Sequence, residues 1–201
     1  MRMPGPGHLF ILVGAGGSGK TTLIQAVREA HPEVRFMPTT TTRPPRPGEV
    51  NGREYDFVDE AMFDRLRQDR VLLEWAEIHG HTYGTSRKRI EELLESGEVG
   101  ITSLDYHGAF AVKETFPERS TTIFVHPLSV EDLRARLRTR NDTSIADIEK
   151  RLARAAEEGA QAQNCDYDLL NANGRFEEAL SRLLEIMEDI VGSEALSGHR
   201  R

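Results

Sequence analysis

This chain of 201 residues lacks several features that would place it outside the cytoplasm. It has one cysteine, Cys165, which excludes a disulfide within the chain and a thiolate metal cluster, and which fits a reducing compartment. No apolar run approaches the roughly 18 residues of a membrane-spanning helix, and the N-terminus has no signal-peptide pattern. We therefore expect a cytoplasmic protein without a membrane partner.

Positive charge is also in deficit, since 26 Lys and Arg residues face 33 Asp and Glu, giving a net charge of −7. This balance argues against a sequence-independent nucleic-acid binder, because such proteins rely on basic surfaces. A small phosphorylated substrate needs only a local cluster of cations. The remaining composition, 38% hydrophobic and 29% charged, is ordinary for a globular chain of one domain, and it leaves the oligomeric state open.

The most informative stretch is the glycine-rich segment GAGGSGKT, a full match to G-x-x-x-x-G-K-[ST]. It lies between an apolar run at 9–13 and a helix-like run at 22–30, the strand–loop–helix context that a P-loop requires. Glycines let backbone N–H groups surround phosphate oxygens, and the helix N-terminus adds partial positive charge. Lys20 can then reach the β- and γ-phosphates, and the Thr21 hydroxyl is placed to ligate Mg²⁺. The segment predicts a nucleoside-triphosphate site, against the alternative of a glycine-rich turn without a ligand. The predicted phosphate-binding residues are Gly14, Ala15, Gly16, Gly17, Ser18, Gly19, Lys20 and Thr21.

Apolar runs alternate with helix-period segments along the rest of the chain, which predicts a doubly wound parallel α/β sheet. The predicted strands are 9–13, 34–37, 71–78, 99–104, 121–125 and 167–171. The predicted helices are 22–30, 59–69, 86–95, 129–140, 144–163 and 176–191, with 106–115 as a crossover and 81–85 as a loop. In the helix that Asp59 caps, Met62, Phe63 and Leu66 are predicted to face inward. Ligands of such sheets bind at the carboxyl ends of the strands, where the glycine-rich loop also lies.

Two stretches interrupt the order of the sheet and are too short to fold independently, so we interpret them as flaps over one active site. The predicted division is a single domain at 9–191, with a core of 9–37, 98–126 and 164–191, a flap at 38–97 and a lid at 127–163. The ends, 1–8 and 192–201, are expected to be flexible.

A proline-braced basic segment follows the second predicted strand and contains Arg43 and Arg46. Arginine presents a planar fork that matches phosphate oxygens, and a phenolic hydroxyl adds a neutral donor. Together with Tyr55 and Tyr83, these arginines could form a pocket for a dianionic phosphate. The alternative is a solvated basic loop.

Glu74 lies in an apolar strand beside Trp75, where a carboxylate is costly unless it is paired. Strand alternation places Glu74 and Ala76 on one face and Trp75 and Glu77 on the other. A carboxylate there could accept the N1–H and N2–H₂ donors of guanine, an edge that adenine lacks. The alternative is an edge-strand carboxylate that points to water.

Four segments together resemble the guanylate kinase family: the P-loop, TTRPPRPGEVNG at 41–52, EWAE at 74–77 and HGHTYGT at 79–85. The resemblance covers about 9–191 and is very specific in combination. It implies a P-loop NTPase core with a GMP-binding flap and a lid. It also implies transfer of the γ-phosphoryl group of Mg·ATP to GMP or dGMP, giving ADP and GDP or dGDP.

The resemblance also implies roles for individual residues. Those that would hold the GMP phosphate are Arg43, Arg46, Tyr55 and Tyr83, and those around guanine are Thr39, Glu74, Thr85 and Asp105. Threonine stands at 39 and 85 where family members often carry serine, which keeps the hydroxyl. The lid arginines are Arg136, Arg140 and Arg151, of which Arg140 and Arg151 are expected to contact the transition state together with Lys20. Asn171 matches a position near the adenine of ATP.

The chain departs from the family pattern at two places. Its P-loop begins Gly-Ala-Gly-Gly where Gly-Pro-Ser-Gly is usual, a change with little expected effect because backbone amides bind the phosphates. Ser103 stands where the family usually has an aspartate, two residues before Asp105, so one carboxylate that would help order the water shell of Mg²⁺ is missing.

Two other functions fit parts of this pattern. A ribose 1,5-bisphosphate kinase shares the fold and the P-loop but would not need the Arg43 pocket or Glu74. A non-catalytic guanylate-kinase-like module would bind phosphopeptides in the GMP pocket, but such modules have typically lost P-loop function, and Lys20 and Thr21 are intact here.

Overall fold

Strands and helices alternate in the computed structural model, which describes residues 7–78, 80–138 and 145–196, apart from the side chains of 145–147 and 154. The strands are β1 (His8–Val13), β2 (Arg35–Phe36), β3 (Thr39–Thr41), β4 (Tyr55–Phe57), β5 (Leu72–Ile78), β6 (His81–Ser86), β7 (Val99–Ser103), β8 (Ser120–His126) and β9 (Tyr167–Leu170). The helices are α1 (Lys20–Ala30), α2 (Glu60–Gln68), α3 (Arg87–Glu95), α4 (Tyr106–Thr115), α5 (Val130–Arg138), α6 (Ile145–Gly159), α7 (Phe176–Val191) and α8 (Ser193–Leu196).

The core sheet has the strand order β2-β7-β1-β8-β9, and every pair in it is parallel. All six residues of the central strand β1 are buried, because helices cover both faces of the sheet. Phe10 and Leu12 point to α1 and α7, whereas Leu9 and Ile11 point to α3 and α4. Each such side chain contributes about 1.5–3 kcal/mol by burial. The predicted α/β fold with a doubly wound parallel sheet is confirmed.

A second, four-stranded sheet with the order β4-β3-β6-β5 lies within the predicted flap. Its β3 pairs parallel with β4, whereas β6 pairs antiparallel with both β3 and β5. The prediction of a loop at 81–85 is therefore wrong, because these residues form most of β6. Their polar composition hid the strand: β6 is held by partners on both sides rather than by an apolar core.

Helices α2 and α3 begin at the predicted caps. The Asp59 carboxylate accepts the Met62 N–H at 2.7 Å, and the Ser86 hydroxyl accepts the Arg89 N–H at 3.4 Å. Phe63 is buried as predicted, but the prediction that Met62 faces inward is wrong, because 44% of its surface is exposed. Helix α2 has only nine residues, and Phe63 is its buried residue, so Met62 lies outside the buried face of the helix.

The two helices of the predicted lid contact the glycine-rich loop through one apolar cluster. Its buried members are Ala15, Leu133, Leu137, Ile148 and Leu152. Helix α5 begins where the Ser129 hydroxyl accepts the Asp132 N–H at 3.1 Å. Helix α6 ends at Gly159, before the predicted end at 163, and a short 3₁₀ turn follows at Ala162–Asn164. The predicted site residue Arg140 lies outside the described residues.

Each end has one described residue whose side chain is buried against the fold. His8 begins β1, is 8% exposed, and shares a hydrogen bond of 2.8 Å with the Thr121 hydroxyl. Leu196 is fully buried at the end of α8, and its carbonyl lies 2.8 Å from Nδ1 of His31. Of the ends at 1–8 and 192–201, His8 and Leu196 thus pack against the core of the fold. Among the described helices, none is both long and apolar enough to cross a membrane.

Candidate active site

The glycine-rich loop connects β1 to α1 at the carboxyl edge of the core sheet. Gly14 and Gly19 have φ angles of 131° and 100°, a region that residues with a side chain rarely adopt. A Cβ on Gly14 would lie 2.3 Å from the Val125 carbonyl oxygen, and one on Gly19 would lie 2.2 Å from Nδ2 of Asn171. Glycine is therefore required at these two positions by backbone geometry and by space.

Lys20 is the first residue of α1, and its side chain folds back over the loop. Its Nζ donates to the carbonyl oxygens of Gly14 at 2.5 Å and Ala15 at 3.0 Å. This places a cation above the backbone that the sequence predicts to surround phosphates. Thr21 follows Lys20 and is exposed, so both side chains can contact a ligand in front of the loop.

One cleft runs from the glycine-rich loop to the four-stranded sheet. The predicted site residues that line it are Gly14, Gly16, Gly17, Gly19, Lys20, Thr21, Thr39, Arg43, Arg46, Tyr55, Glu74, Tyr83, Thr85, Asp105 and Arg151. Segments far apart in the sequence thus meet around one space. We call the part beside Arg43 the arginine end and the part beside Glu74 the carboxylate end.

At the arginine end, Arg43 is buried, with 8% of its surface exposed. Its Nη2 donates to the Glu49 carboxylate at 2.9 Å, and its guanidinium lies over the rings of Tyr55 and Phe57, 5.2 and 5.6 Å from their centroids. These contacts orient the planar fork before a ligand arrives. The alternative of a solvated basic loop does not hold for Arg43.

The other members of the arginine end are more open. The Arg46 side chain is exposed, while its backbone N–H donates to the Glu49 carboxylate at 2.7 Å. The rings of Tyr55 and Tyr83 meet edge to face, with centroids 6.0 Å apart. Burial raises the pKa of Tyr55, so its phenol stays a neutral donor at physiological pH. The end therefore combines cations with neutral donors, as an anion requires.

At the carboxylate end, the Thr85 hydroxyl donates to Oε1 of Glu74 at 2.5 Å. Burial raises the pKa of Glu74 to about 7; Asp105 also raises it, whereas the hydrogen bond from Thr85 lowers it. Trp75, one residue on, is 47% exposed on the opposite face of β5. The predicted alternation is confirmed, and Glu74 faces the cleft rather than open water.

Asp105 caps α4 at this end, where its Oδ1 accepts the Gly108 N–H at 2.8 Å. Ser103, the last residue of β7, also lines the cleft, as does Leu104 between the two residues. Within the described residues, no group of three or more His, Cys, Asp or Glu side chains is arranged to hold a metal ion.

Two predicted ATP-binding residues, Asn171 and Arg136, contact the glycine-rich loop but do not line the cleft. The side-chain amide of Asn171 donates to the Ser18 carbonyl at 2.8 Å, and Nη1 of Arg136 donates to the same oxygen at 3.1 Å. Nη2 of Arg136 also donates to the Asn171 carbonyl at 2.5 Å. In this structure the two residues support the loop, whereas Arg151 of α6 lines the cleft.

Several cleft residues were not predicted. Ala76 and Ile78 line it because they share the face of Glu74, a signal that alternation along β5 already contains. Glu158 lines it seven residues after Arg151, a spacing of two helical turns that places both on one face of α6. No local pattern marks Glu49 as the partner of Arg43, because that contact depends on how the proline-braced segment turns.

Comparisons with known proteins agree with this geometry. A family model described as Guanylate kinase matches residues 7–190. The guanylate kinase of Bordetella pertussis is 42% identical over 181 residues, which cover 90% of this chain and 83% of the relative. That of Thiobacillus denitrificans is 42% identical over 185 residues, covering 92% and 87%. The crystal structure of guanylate kinase from Anaplasma phagocytophilum matches with a TM-score of 0.77 at 29% identity, covering 97% of this chain and 92% of that one.

Proposed function

Because this chain belongs to the guanylate kinase family, we propose that it transfers the γ-phosphoryl group of ATP to GMP or dGMP, forming ADP and GDP or dGDP. The observation that carries the proposal is a single cleft with three chemically distinct parts. They are a triphosphate-binding loop, a buried arginine among phenols, and a carboxylate that faces the cleft. ATP and a guanine nucleotide are the two ligands that would fill all three.

The carboxylate end selects the base in this proposal. Ionised Glu74 accepts the N1–H and N2–H₂ donors of guanine, while Thr85 fixes the carboxylate from behind. Adenine has an acceptor at N1 and no amino group at C2, so it would leave Glu74 buried and unpaired, which is costly. Thr39 and Asp105 complete the guanine surroundings from the two neighbouring segments.

The arginine end holds the acceptor phosphate. Arg43 is already oriented by Glu49 and the two aromatic rings, so little conformational entropy is lost when the phosphate binds. Arg46, Tyr55 and Tyr83 supply further donors from the same end of the cleft. The phosphate is an anionic nucleophile as it enters, so no side chain has to act as a general base.

Phosphoryl transfer requires two phosphates in line and cations around the charge that spreads during transfer. Lys20 supplies one such cation, once its Nζ exchanges the loop carbonyls for phosphate oxygens. Arg151, which lines the cleft, supplies a second from α6. Arg140 is proposed as a third. Arg136 and Asn171 contribute to ATP binding by holding the Ser18 carbonyl, and therefore the loop, in place.

We propose Mg²⁺ as the cofactor, bound with ATP. The Thr21 hydroxyl suits it as an oxygen ligand, and Ser103 can orient a water of its shell; both line the cleft. The ion would neutralise phosphate charge.

The segments 38–97 and 127–163 are proposed as a flap and a lid whose closure excludes water. We also propose a cytoplasmic location, on the basis of the single cysteine.

The test measures ADP production from Mg·ATP with a panel of acceptors: GMP, dGMP, AMP, CMP, UMP and ribose 1,5-bisphosphate. We expect turnover with GMP and dGMP, and kcat/KM lower by about 10⁴-fold for the other nucleotides. Turnover of ribose 1,5-bisphosphate instead of GMP would identify the sugar kinase, and a phosphopeptide-binding chain without turnover would identify the non-catalytic module.

A further inference from the structure

Gly108 is a glycine that the backbone of its own helix does not require. It is the third residue of α4 and is buried, and its φ angle is not among the positive values that favour glycine. Glycine is a poor residue for the interior of a helix, because it loses the most backbone freedom on folding. Its presence therefore needs a reason from outside the helix.

The surroundings supply that reason. A Cβ built on Gly108 would lie 2.9 Å from both Cδ and Oε1 of Glu74 and 3.1 Å from Oε2. These are its three nearest heavy atoms, so the missing side chain leaves room for this one carboxylate. Ordinary contact distances are about 3.5–4.0 Å, so a methyl group there would displace the carboxylate by several tenths of an ångström or more.

The displaced group would have no equivalent position. The Thr85 hydroxyl donates to Oε1 of the same carboxylate at 2.5 Å, so displacing this oxygen breaks or bends that hydrogen bond. The carboxylate is the far end of a flexible side chain, however, so it can swing aside without disturbing the sheet. A methyl group at 108 should therefore alter recognition and leave the fold intact.

We propose that Gly108 is a specificity-determining residue: its missing side chain forms the notch in which the Glu74 carboxylate is positioned for the acceptor base. It acts through Glu74 and is a positioning residue. The inference rests on the proposed function, since the base that Glu74 recognises is taken to be guanine. The first turn of α4 would then have two roles: it leaves space for the Glu74 carboxylate, and its Gly108 N–H donates to the capping residue Asp105.

The test is Gly108→Ala, with kinetics for GMP, IMP and ATP. We expect kcat/KM for GMP to fall by about 10- to 100-fold, as for a reacting group misplaced by up to 1 Å, and the KM of ATP to stay within about twofold. IMP keeps N1–H but lacks the amino group at C2, so it loses less, and the GMP/IMP preference falls. His107→Ala, at the exposed neighbouring position of α4, is the control, and it should change neither kcat/KM for GMP nor the GMP/IMP preference.

A double-mutant cycle separates positioning from a structural role. In a Glu74→Ala background there is no carboxylate to displace, so adding Gly108→Ala should cost less than about threefold. The melting temperature of Gly108→Ala should not fall. If this variant does not fold, the double variant should, because the contacts of the new methyl group have been removed.

These experiments distinguish a failure of the inference about Gly108 from a failure of the proposed function. If the unaltered protein does not phosphorylate GMP, the proposed function fails. If it does, but Gly108→Ala keeps its GMP/IMP preference, the inference about Gly108 is overturned. A double variant that loses as much again as the single variant, or that fails to fold, would overturn it as well.

Discussion

Exchanging Glu74 for glutamine keeps the size of the side chain but replaces one acceptor oxygen by an amide donor and removes the charge. One hydrogen bond from guanine to a charged acceptor is lost, which is worth about 1.5–3 kcal/mol, and one guanine donor then faces a second donor, at about 1–3 kcal/mol. The sum, about 2.5–6 kcal/mol, corresponds to a fall of about 10²–10⁴-fold in kcat/KM for GMP at pH 8. Glu77→Gln, on the exposed face of the same strand, should leave kcat/KM unchanged.

The pH dependence of this loss identifies the carboxylate. Burial raises the pKa of Glu74 to about 7, and the protonated acid cannot accept both guanine donors. Below pH 7 the unaltered enzyme should therefore lose kcat/KM for GMP by up to about tenfold per unit, a loss that glutamine cannot show. The phosphate of GMP titrates near pH 6 in both enzymes, so it cancels in their ratio. A ratio of unaltered enzyme to Glu74→Gln that stays constant from pH 5.5 to 8.5 would refute the assignment of Glu74.

Four further outcomes follow from the structure. Burial raises the pKa of Glu74 in the folded protein from 4.5 to about 7, so the free protein loses stability as the pH rises between these two values and loses no more above 7. Glu74→Gln should therefore raise the melting temperature at pH 8 more than at pH 5. Lys20→Ala should lower kcat by about 10²-fold or more, whereas Arg46→Ala should chiefly raise the KM of GMP; the opposite pattern in initial-rate kinetics would exchange their roles. Burial, with the charges of Lys113 and Arg119, lowers the pKa of His8 to about 4, so the unfolded chain binds the extra proton between pH 4 and 6.5. Urea unfolding should show a loss of about 1–2 kcal/mol from pH 6.5 to 5, and His8→Gln should lack that loss. Ser103→Asp should lower the free Mg²⁺ needed for half-maximal rate by less than about tenfold, and an unchanged requirement would exclude residue 103 from the metal shell.

Local signals were enough to predict the parts of the molecule that depend on near neighbours. The apolar run at 9–13, the glycine-rich loop and the following helix form one continuous unit, and their residue types suit both the local conformation and the predicted chemistry. The caps Asp59 and Ser86 are likewise local, since each bonds a backbone N–H three residues on. Alternation along β5 was enough to predict that Glu74 and Trp75 lie on opposite faces of the strand.

The parts that escaped prediction depend on distant partners. Strand β6 is polar because it belongs to the sheet that lines the cleft. Its pairing with β3 and β5 could not be predicted from its own sequence. The position of Asn171 against the glycine-rich loop depends on a contact with Ser18, 153 positions earlier in the chain. The role of Gly108 depends on where the Glu74 carboxylate lies, which the sequence around α4 does not contain.

The central claim is that two nucleotides react with each other in this cleft, and product analysis tests it most directly. GMP and Mg·ATP are incubated with the protein, and all nucleotides are separated and counted by chromatography over the course of the reaction. We predict that GDP and ADP appear in equal amounts and that the formation of both stops when GMP is exhausted. ADP formed without GDP, at a rate that GMP does not change, would contradict it.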